Sequence, residues 1–147
     1  MPSYSRVKNI NRIIDANINR AKEGLRVCEE IARFILDNKK LTASFKRVRH
    51  RIDTLVKGLF SPISNLLSAR NSLKDIGRNI YLNELKRKDI HDIFFANIQR
   101  VKESIRVLEE FTKLINKNFA IKFKKIRYDL YEIEKKTAKK LSALRNP

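Results

Sequence analysis

Apolar residues recur at helical spacing over four long stretches of the chain. From about Ser5 to Asp37 the apolar set is Ile10, Ile13, Ile14, Ile18, Ala21, Leu25, Cys28, Ile31, Ala32 and Ile35, a stripe that predicts an amphipathic helix. Asn38, Lys39 and Lys40 interrupt it. Thr42 is the expected N-cap of a second helix reaching about Phe60, since a side-chain oxygen there satisfies a free N–H. In that helix Phe45, Val48, Ile52, Leu55 and Val56 turn inward, Arg47, Arg49 and Arg51 turn largely outward, and Gly58 and Pro62 close it. Ile63 to Ala69 predicts a short helix, and Arg70 to Arg78 a polar connection with a left-handed turn at Gly77. Asp89, with Asp92 three residues on, caps a third helix over about Ile90 to Ile115. After a turn at Asn116 to Asn118, a fourth helix runs from about Phe119 to Leu144 on a stripe of Phe123, Ile126, Leu130, Ile133 and Leu141. Alternation with period two is absent, which argues against most sheet alternatives.

The first and third helices are written in the same letters. ANINRAKEGLRVCEEIARFIL at Ala16–Leu36 is echoed by ANIQRVKESIRVLEEFTKLIN at Ala96–Asn116. At an offset of 80, Ala16, Asn17, Ile18, Arg20, Lys22, Glu23, Arg26, Val27, Glu29 and Glu30 recur unchanged. FKRVRHRI from Phe45 is answered by FKKIRYDL from Phe123 at an offset of 78. The expected fold is therefore all-α: a four-helix bundle of two pseudo-repeated helical hairpins joined by a long crossover and related by an approximate two-fold axis. One domain over residues 1–147 is expected, with repeat one at 5–60, a connection at 61–88 and repeat two at 89–144.

Helical advance of about 100° per residue locates the polar members of the repeat. Asn17 falls at the same angle as Ile10, Cys28 and Ile35, and Asn97 falls among Ile90, Val101, Leu108 and Ile115. A buried amide is costly unless hydrogen-bonded. Arg20 and Arg100 lie about a sixth of a turn away, and Glu23 and Glu103 one step further. Each long helix thus carries Asn, Arg and Glu at i, i+3 and i+6, running from the apolar stripe to its edge. A purely structural reading competes: Arg20–Glu23, Glu23–Arg26 and Arg26–Glu30 have the spacing of surface ion-pair ladders. Retention of the same charges in both copies, where most other exposed positions have drifted, favours a site.

Composition adds a sign. With 34 Lys and Arg against 16 Asp and Glu the formal net charge is +18, which favours anionic partners such as phosphate esters, nucleotides or nucleic acid. Few exposed aromatics and no recognition motif make nucleic acid the weakest of these. Surface Lys enrichment without function is the competing reading. A lone cysteine, Cys28, allows no internal disulfide. No signal-peptide pattern and no long apolar run occur, so a soluble, cytoplasmic protein with no membrane partner is expected. His50 and His91 lack a partner at zinc-ligand spacing. No glycine-rich phosphate loop exists, so any phosphate must meet Arg and Lys side chains or a helix N-terminus. Arg49, Arg70, Arg78 and Arg127 extend that reservoir, and Tyr128 and Tyr131 are available to stack on a ring.

RIIDANINRAKEGLRVCEEIARF, LLSARNSLKDIG, FFANIQRVKESIRVLEEFTKL and KKIRYDLYEIEK, in that order, resemble one family. It is the alternative hydroxymethylpyrimidine-phosphate kinase of thiamin biosynthesis, a helical domain often fused ahead of thiamin-phosphate synthase. The resemblance implies ATP-dependent phosphorylation of hydroxymethylpyrimidine phosphate to the diphosphate, with ATP and Mg²⁺ as cofactors. The family's ARDTxxDVG segment matches Ala69, Arg70, Asn71, Ser72, Asp75, Ile76 and Gly77, with Asn71 in place of an Asp and Ser72 in place of a Thr. Its RAxEGLRV and RVxEALRV segments match Arg20–Val27 and Arg100–Val107. Under that reading Arg20, Arg100, Arg70 and Arg127 hold phosphates, and Asn17 and Asn97 read the aminopyrimidine edge. Glu23, Glu103 and Asp75 are the catalytic candidates, with Asp75 and Glu103 the expected Mg²⁺ ligands. Thiamin-phosphate synthase is an implied partner and a homodimer is an open alternative. A non-catalytic helical module that binds phosphorylated ligand or docks on the synthase is the alternative function.

Overall fold

The stripes fold as expected into antiparallel helices, in a computed structural model that describes residues 4–79 and 85–145. Positions 1–3, 80–84 and 146–147 of the expected domain and connection lie outside the described residues. Helix α1 spans Tyr4–Glu30 and continues as a π-helical turn over Ile31–Ile35. Helix α2 spans Lys39–Leu59, α3 Ser64–Leu67, α4 Ile90–Thr112 and α5 Lys117–Arg145. No strand occurs among the described residues.

Cross-helix pairs fix the directions. Lys22 reaches Asp53 and Arg49 reaches Glu29, so α2 runs back along α1. Lys102 reaches Glu134 and Arg127 reaches Glu109, so α5 runs back along α4. Arg51 pairs with Asp129, and Gly58 lies against the Phe119 ring, so α2 and α5 are also opposed. Neighbours alternate around the ring α1–α2–α5–α4, which leaves α1 and α4 antiparallel. The core between them is built largely from the predicted stripes, except that Ile35, at the end of the π-helical turn, is exposed. Phe45, Phe94 and Phe123 are wholly buried, as are Leu25, Ile52, Ile105, Leu130 and most of their neighbours. One apolar cluster joins all four long helices, and its burial is what holds otherwise marginal helices together.

Several boundaries differ from the expectation. Asn38, not Thr42, caps α2: its Oδ1 accepts the Leu41 N–H at 2.9 Å, and the Thr42 hydroxyl donates to the Asn38 carbonyl instead. Lys39 and Lys40 break the apolar stripe but are good helix formers, so they enter the first turn. The first helix is not regular to Asp37, because the Leu36 N–H bonds to the Ile31 carbonyl five residues back. Asp37 takes the left-handed conformation at φ 47°, which a short polar side chain tolerates. No glycine has positive φ among the described residues. The turn at Gly77 is made instead by its N–H donating to Asp75 Oδ1 at 2.8 Å. The third helix stops at Thr112, leaving Leu114 and Ile115 exposed. Asp89 caps α4 as read, accepting from the Asp92 N–H, but Asp92 reaches back to the Lys88 N–H. Arg49 does not point outward: it is half-buried against Glu29.

Candidate functional site

Halfway along α1 and α4 the two helices part into a groove of about 570 Å³. From α1 it is lined by Asn17, Arg20, Glu23 and Gly24. From α4 come Asn97, Arg100 and Glu103, with Ser104 and Val107 beside them. Both Asn–Arg–Glu series therefore face one space. Because the helices are antiparallel, the order of one series is reversed in the other. The close approach below the groove depends on Gly24. A Cβ at that position would meet Val101 Cγ2 at 2.6 Å and the Asn97 carbonyl at 3.1 Å.

Each amide is anchored to its own helix. Asn17 Nδ2 donates to the Ile13 carbonyl and Asn97 Nδ2 to the Ile93 carbonyl, both at 2.8 Å. That satisfies one N–H of each amide and leaves the oxygens to accept; among the described residues Asn17 Oδ1 receives only a long contact from Arg20, at 3.5 Å. The groove thus offers two carbonyl acceptors, two guanidinium forks and two carboxylates over a floor of Gly24 and Val107.

The other repeated charges are paired. Lys22 and Lys102 bind carboxylates on the following helix. Arg26 with Glu29 and Glu30, and Arg106 with Glu110, close pairs within their own helices. Lys113 donates a hydrogen bond to Glu110 and, helped by Arg106 and Arg127, holds its carboxyl below the usual range. Glu29 is gripped by Arg49, and its repeat counterpart Glu109 by Arg127. By contrast the expected Arg20–Glu23 rung does not form, nor does Arg100–Glu103. Arg100, Glu23 and Glu103 have no side-chain partner among the described residues.

Residues 12–136 match the ThiD2 family. The chain belongs to the ThiD2 family. It is 37% identical over 126 residues to a thiamine-phosphate synthase of Synechocystis, covering 85% of this chain and 35% of that protein. It is 39% identical over 126 residues to a thiamine-phosphate synthase of Nostoc punctiforme, covering 85% and 34%. With the Rhodopirellula baltica thiamine-phosphate synthase it shares 33% over 138 residues, covering 93% and 36%. The chain spans about a third of the length of these relatives. No solved structure matches it.

The remaining candidates of this ThiD2-family chain fall in two other places. Arg70 and Asp75 line a second pocket of about 480 Å³ on the flank of α1, together with Arg12, Ser72 and, again, Arg20 and Glu23. Arg70 donates from Nε and Nη2 to the two oxygens of Asp15, each at 2.7 Å. That bond raises the Arg70 pKa beyond its ordinary range. Arg127 lies outside the groove. It is buried, bonded to Glu109 at 3.0 Å and donating to the Tyr131 hydroxyl, and its pKa is raised chiefly by the Glu109 bond. Arg127 is buried with Nε, Nη1 and Nη2 all bonded, so it offers no edge to a ligand, whereas the Arg70 side chain, bonded through Nε and Nη2, stays 45% exposed.

Asp15, buried on α1, was not distinguishable by sequence pattern. Its place beside the stripe reads as a helix edge, and its repeat counterpart is Phe95. No cluster of three or more His, Cys, Asp or Glu sits close enough to hold a metal ion among the described residues. The expected Mg²⁺ pair is not brought together: Glu103 lines the groove, Asp75 the flanking pocket, and Glu23 lines both, so Glu23 with either one fits a Mg²⁺ that takes one or two carboxylates. No helix among the described residues is long and apolar enough to cross a membrane.

Proposed function

We propose that this protein is a small-molecule kinase of thiamin biosynthesis, transferring phosphate from ATP to hydroxymethylpyrimidine phosphate to give the diphosphate. One observation carries the reading. Of the charges written identically in both repeats, Arg20, Glu23, Arg100 and Glu103 line a shared groove and have no ion pair among the described residues. Guanidinium forks suit phosphate oxygens, and the amide oxygens of Asn17 and Asn97 suit the amino group of a pyrimidine.

The chemistry asks little beyond charge and position. A phosphate oxygen of the acceptor bonds to the terminal phosphorus of the donor, the bond to the bridging oxygen breaks, and its electron pair leaves with ADP. The nucleophile is already ionised, so no base need remove a proton. Arg20 and Arg100 offset the charge of the approaching phosphates and hold them in line. Glu23, Glu103 and Asp75 are the carboxylates that would hold Mg²⁺, which would supply positive charge to offset that of the phosphates. A coupled assay with Mg-ATP and hydroxymethylpyrimidine phosphate tests this; folded protein with no turnover would refute it.

A second reading is a non-catalytic helical module that binds the phosphorylated pyrimidine or docks on thiamin-phosphate synthase. Its support is that the chain matches about a third of the length of proteins named thiamine-phosphate synthase. Binding of the pyrimidine phosphate without turnover, with Arg20→Ala weakening binding only, would select it.

A further inference from the structure

The groove and the flanking pocket share a wall made of Arg20 and Glu23, and no residue of α4 lines both. Across the Arg20 and Glu23 side chains the groove therefore adjoins a second compartment on its α1 side. The cause is local. Asp15 ties Arg70 to α1, and Arg12 Nη2 donates to the Asn71 carbonyl at 3.3 Å, so the Arg70–Asp75 stretch is pinned along that helix. On α4 the positions equivalent to Arg12 and Asp15 are Asp92 and Phe95. Neither can hold a guanidinium and a carbonyl in the same way, and Phe95 is 44% exposed.

Transfer between two ligands needs two compartments that meet at the reacting atoms. We infer that the two cavities form one bipartite site. The phosphate ester sits in the α1–α4 groove, the polyphosphate tail of the donor sits against Arg12, Arg70 and Ser72, and the phosphoryl group passes beside Arg20 and Glu23. The inference rests on the kinase reading and goes beyond it by making the two repeats unequal. The flanking compartment adds the guanidiniums of Arg12 and Arg70 to that of Arg20, and Asp15 holds Arg70 in a fixed orientation before any ligand arrives. It also brings Asp75 to the same cavity as Glu23, two carboxylates of the number Mg²⁺ takes when it travels with a polyphosphate. Both cavities are lined mostly by polar side chains; the groove adds Gly24 and the Val107 side chain, against which a ring can lie, where the flank has Ala16. Arg20 and Glu23 then touch both ligands, and Arg100 and Glu103 touch the acceptor alone.

The repeat supplies its own control. Ala16 lines the flanking compartment and Ala96 is its counterpart on α4. The test is calorimetric binding of inorganic tripolyphosphate with Mg²⁺, and separately of hydroxymethylpyrimidine phosphate. Ala16→Glu and Arg12→Ala are expected to weaken tripolyphosphate about tenfold or more and to leave the pyrimidine phosphate within about twofold. Arg100→Ala is expected to do the reverse, and Ala96→Glu to change neither. If Ala16→Glu fails to fold by circular dichroism, Arg12→Ala decides alone. Tripolyphosphate weakened by Arg100→Ala and indifferent to the flank variants, with wild-type turnover intact, would overturn the bipartite assignment and leave the kinase reading standing. No tripolyphosphate binding by a wild type that turns over would likewise overturn the bipartite assignment alone, whereas folded protein without turnover would remove both.

Discussion

Asp15 grips Arg70 through both carboxylate oxygens at 2.7 Å, with the Asp15 side chain only 6% exposed. The pair spans 55 positions of sequence and fastens the connection to the first helix. Removing the charge from the buried partner leaves a weakened bond in place of a charge-assisted one. Asp15→Asn is expected to cost about 1–2 kcal/mol, since Arg70 itself is partly solvated. Urea unfolding measures it, and limited proteolysis should show faster cleavage between Arg70 and Arg78.

Glu109 and Arg127 form the more buried of the two repeated Glu–Arg pairs, their side chains 7% and 10% exposed, against 5% and 17% for Glu29 and Arg49. Glu109→Gln strands a cation that solvent reaches poorly, and a loss of about 2–4 kcal/mol is expected. Glu29→Gln should cost less, because Arg49 has more access to water. Denaturation of the two variants under one condition gives the order; equal losses would contradict it.

Arg100→Ala and Glu103→Gln should behave in the opposite way. Both side chains are exposed and unpaired among the described residues, so stability should stay within about 0.5 kcal/mol of the parent. Affinity for a phosphate ester should fall about tenfold with Arg100→Ala, the loss of one charge-assisted contact. Thermal melts beside binding isotherms separate the two effects.

Gly24→Ala places a methyl group 2.6 Å from Val101 Cγ2 and 3.1 Å from a backbone oxygen. Overpacking of this kind costs about 1–3 kcal/mol, which exceeds the roughly 1 kcal/mol that alanine gains in helix propensity. A net loss is expected. Ser104→Ala, at the repeat-equivalent position, removes only a hydroxyl bonded to the Arg100 carbonyl and should be close to neutral. Paired unfolding curves check the contrast.

Burial, reinforced by the charge of Glu134, pushes the Cys28 thiol up from 9.0 to about 12. The folded state thus holds the proton more tightly than the unfolded chain. The contribution is fully present below pH 9 and is lost as pH rises from there toward about 12. By pH 10 the wild type should have lost about 1 kcal/mol relative to Cys28→Ala, each difference being referred to pH 7. Parallel denaturation series at pH 7 and pH 10 test it; identical slopes would show that the thiol ionises freely.

The helices were legible because their stripes were continuous and their period unambiguous. Helix ends were not, since Lys39 and Lys40 look like a break and Asn38 competes with Thr42 as a cap. The groove was legible through the angular position of Asn17, Arg20 and Glu23 and through their recurrence. Recurrence alone did not separate site from scaffold: Glu29 and Glu109 are retained just as faithfully, and they hold helices together. The distinction needed Arg49 and Arg127 placed opposite them, information that lies on the next helix. Arg127 was counted among the phosphate-holding arginines for the same reason, its partner Glu109 lying on another helix. Asp15 was invisible because its partner sits in the least repetitive part of the chain.

The π-helical turn at Ile31–Ile35 has a use in protein engineering. Glu29 and Arg49 are 20 positions apart, whereas Glu109 and Arg127 are 18 apart, yet both pairs form. The first hairpin swallows its two extra residues at the tip, through the widened turn and the left-handed Asp37, without shifting the register below. That tip, rather than the bundle's flanks, is where a reporter peptide or a new chain terminus can be spliced in while the grooved midsection keeps its shape.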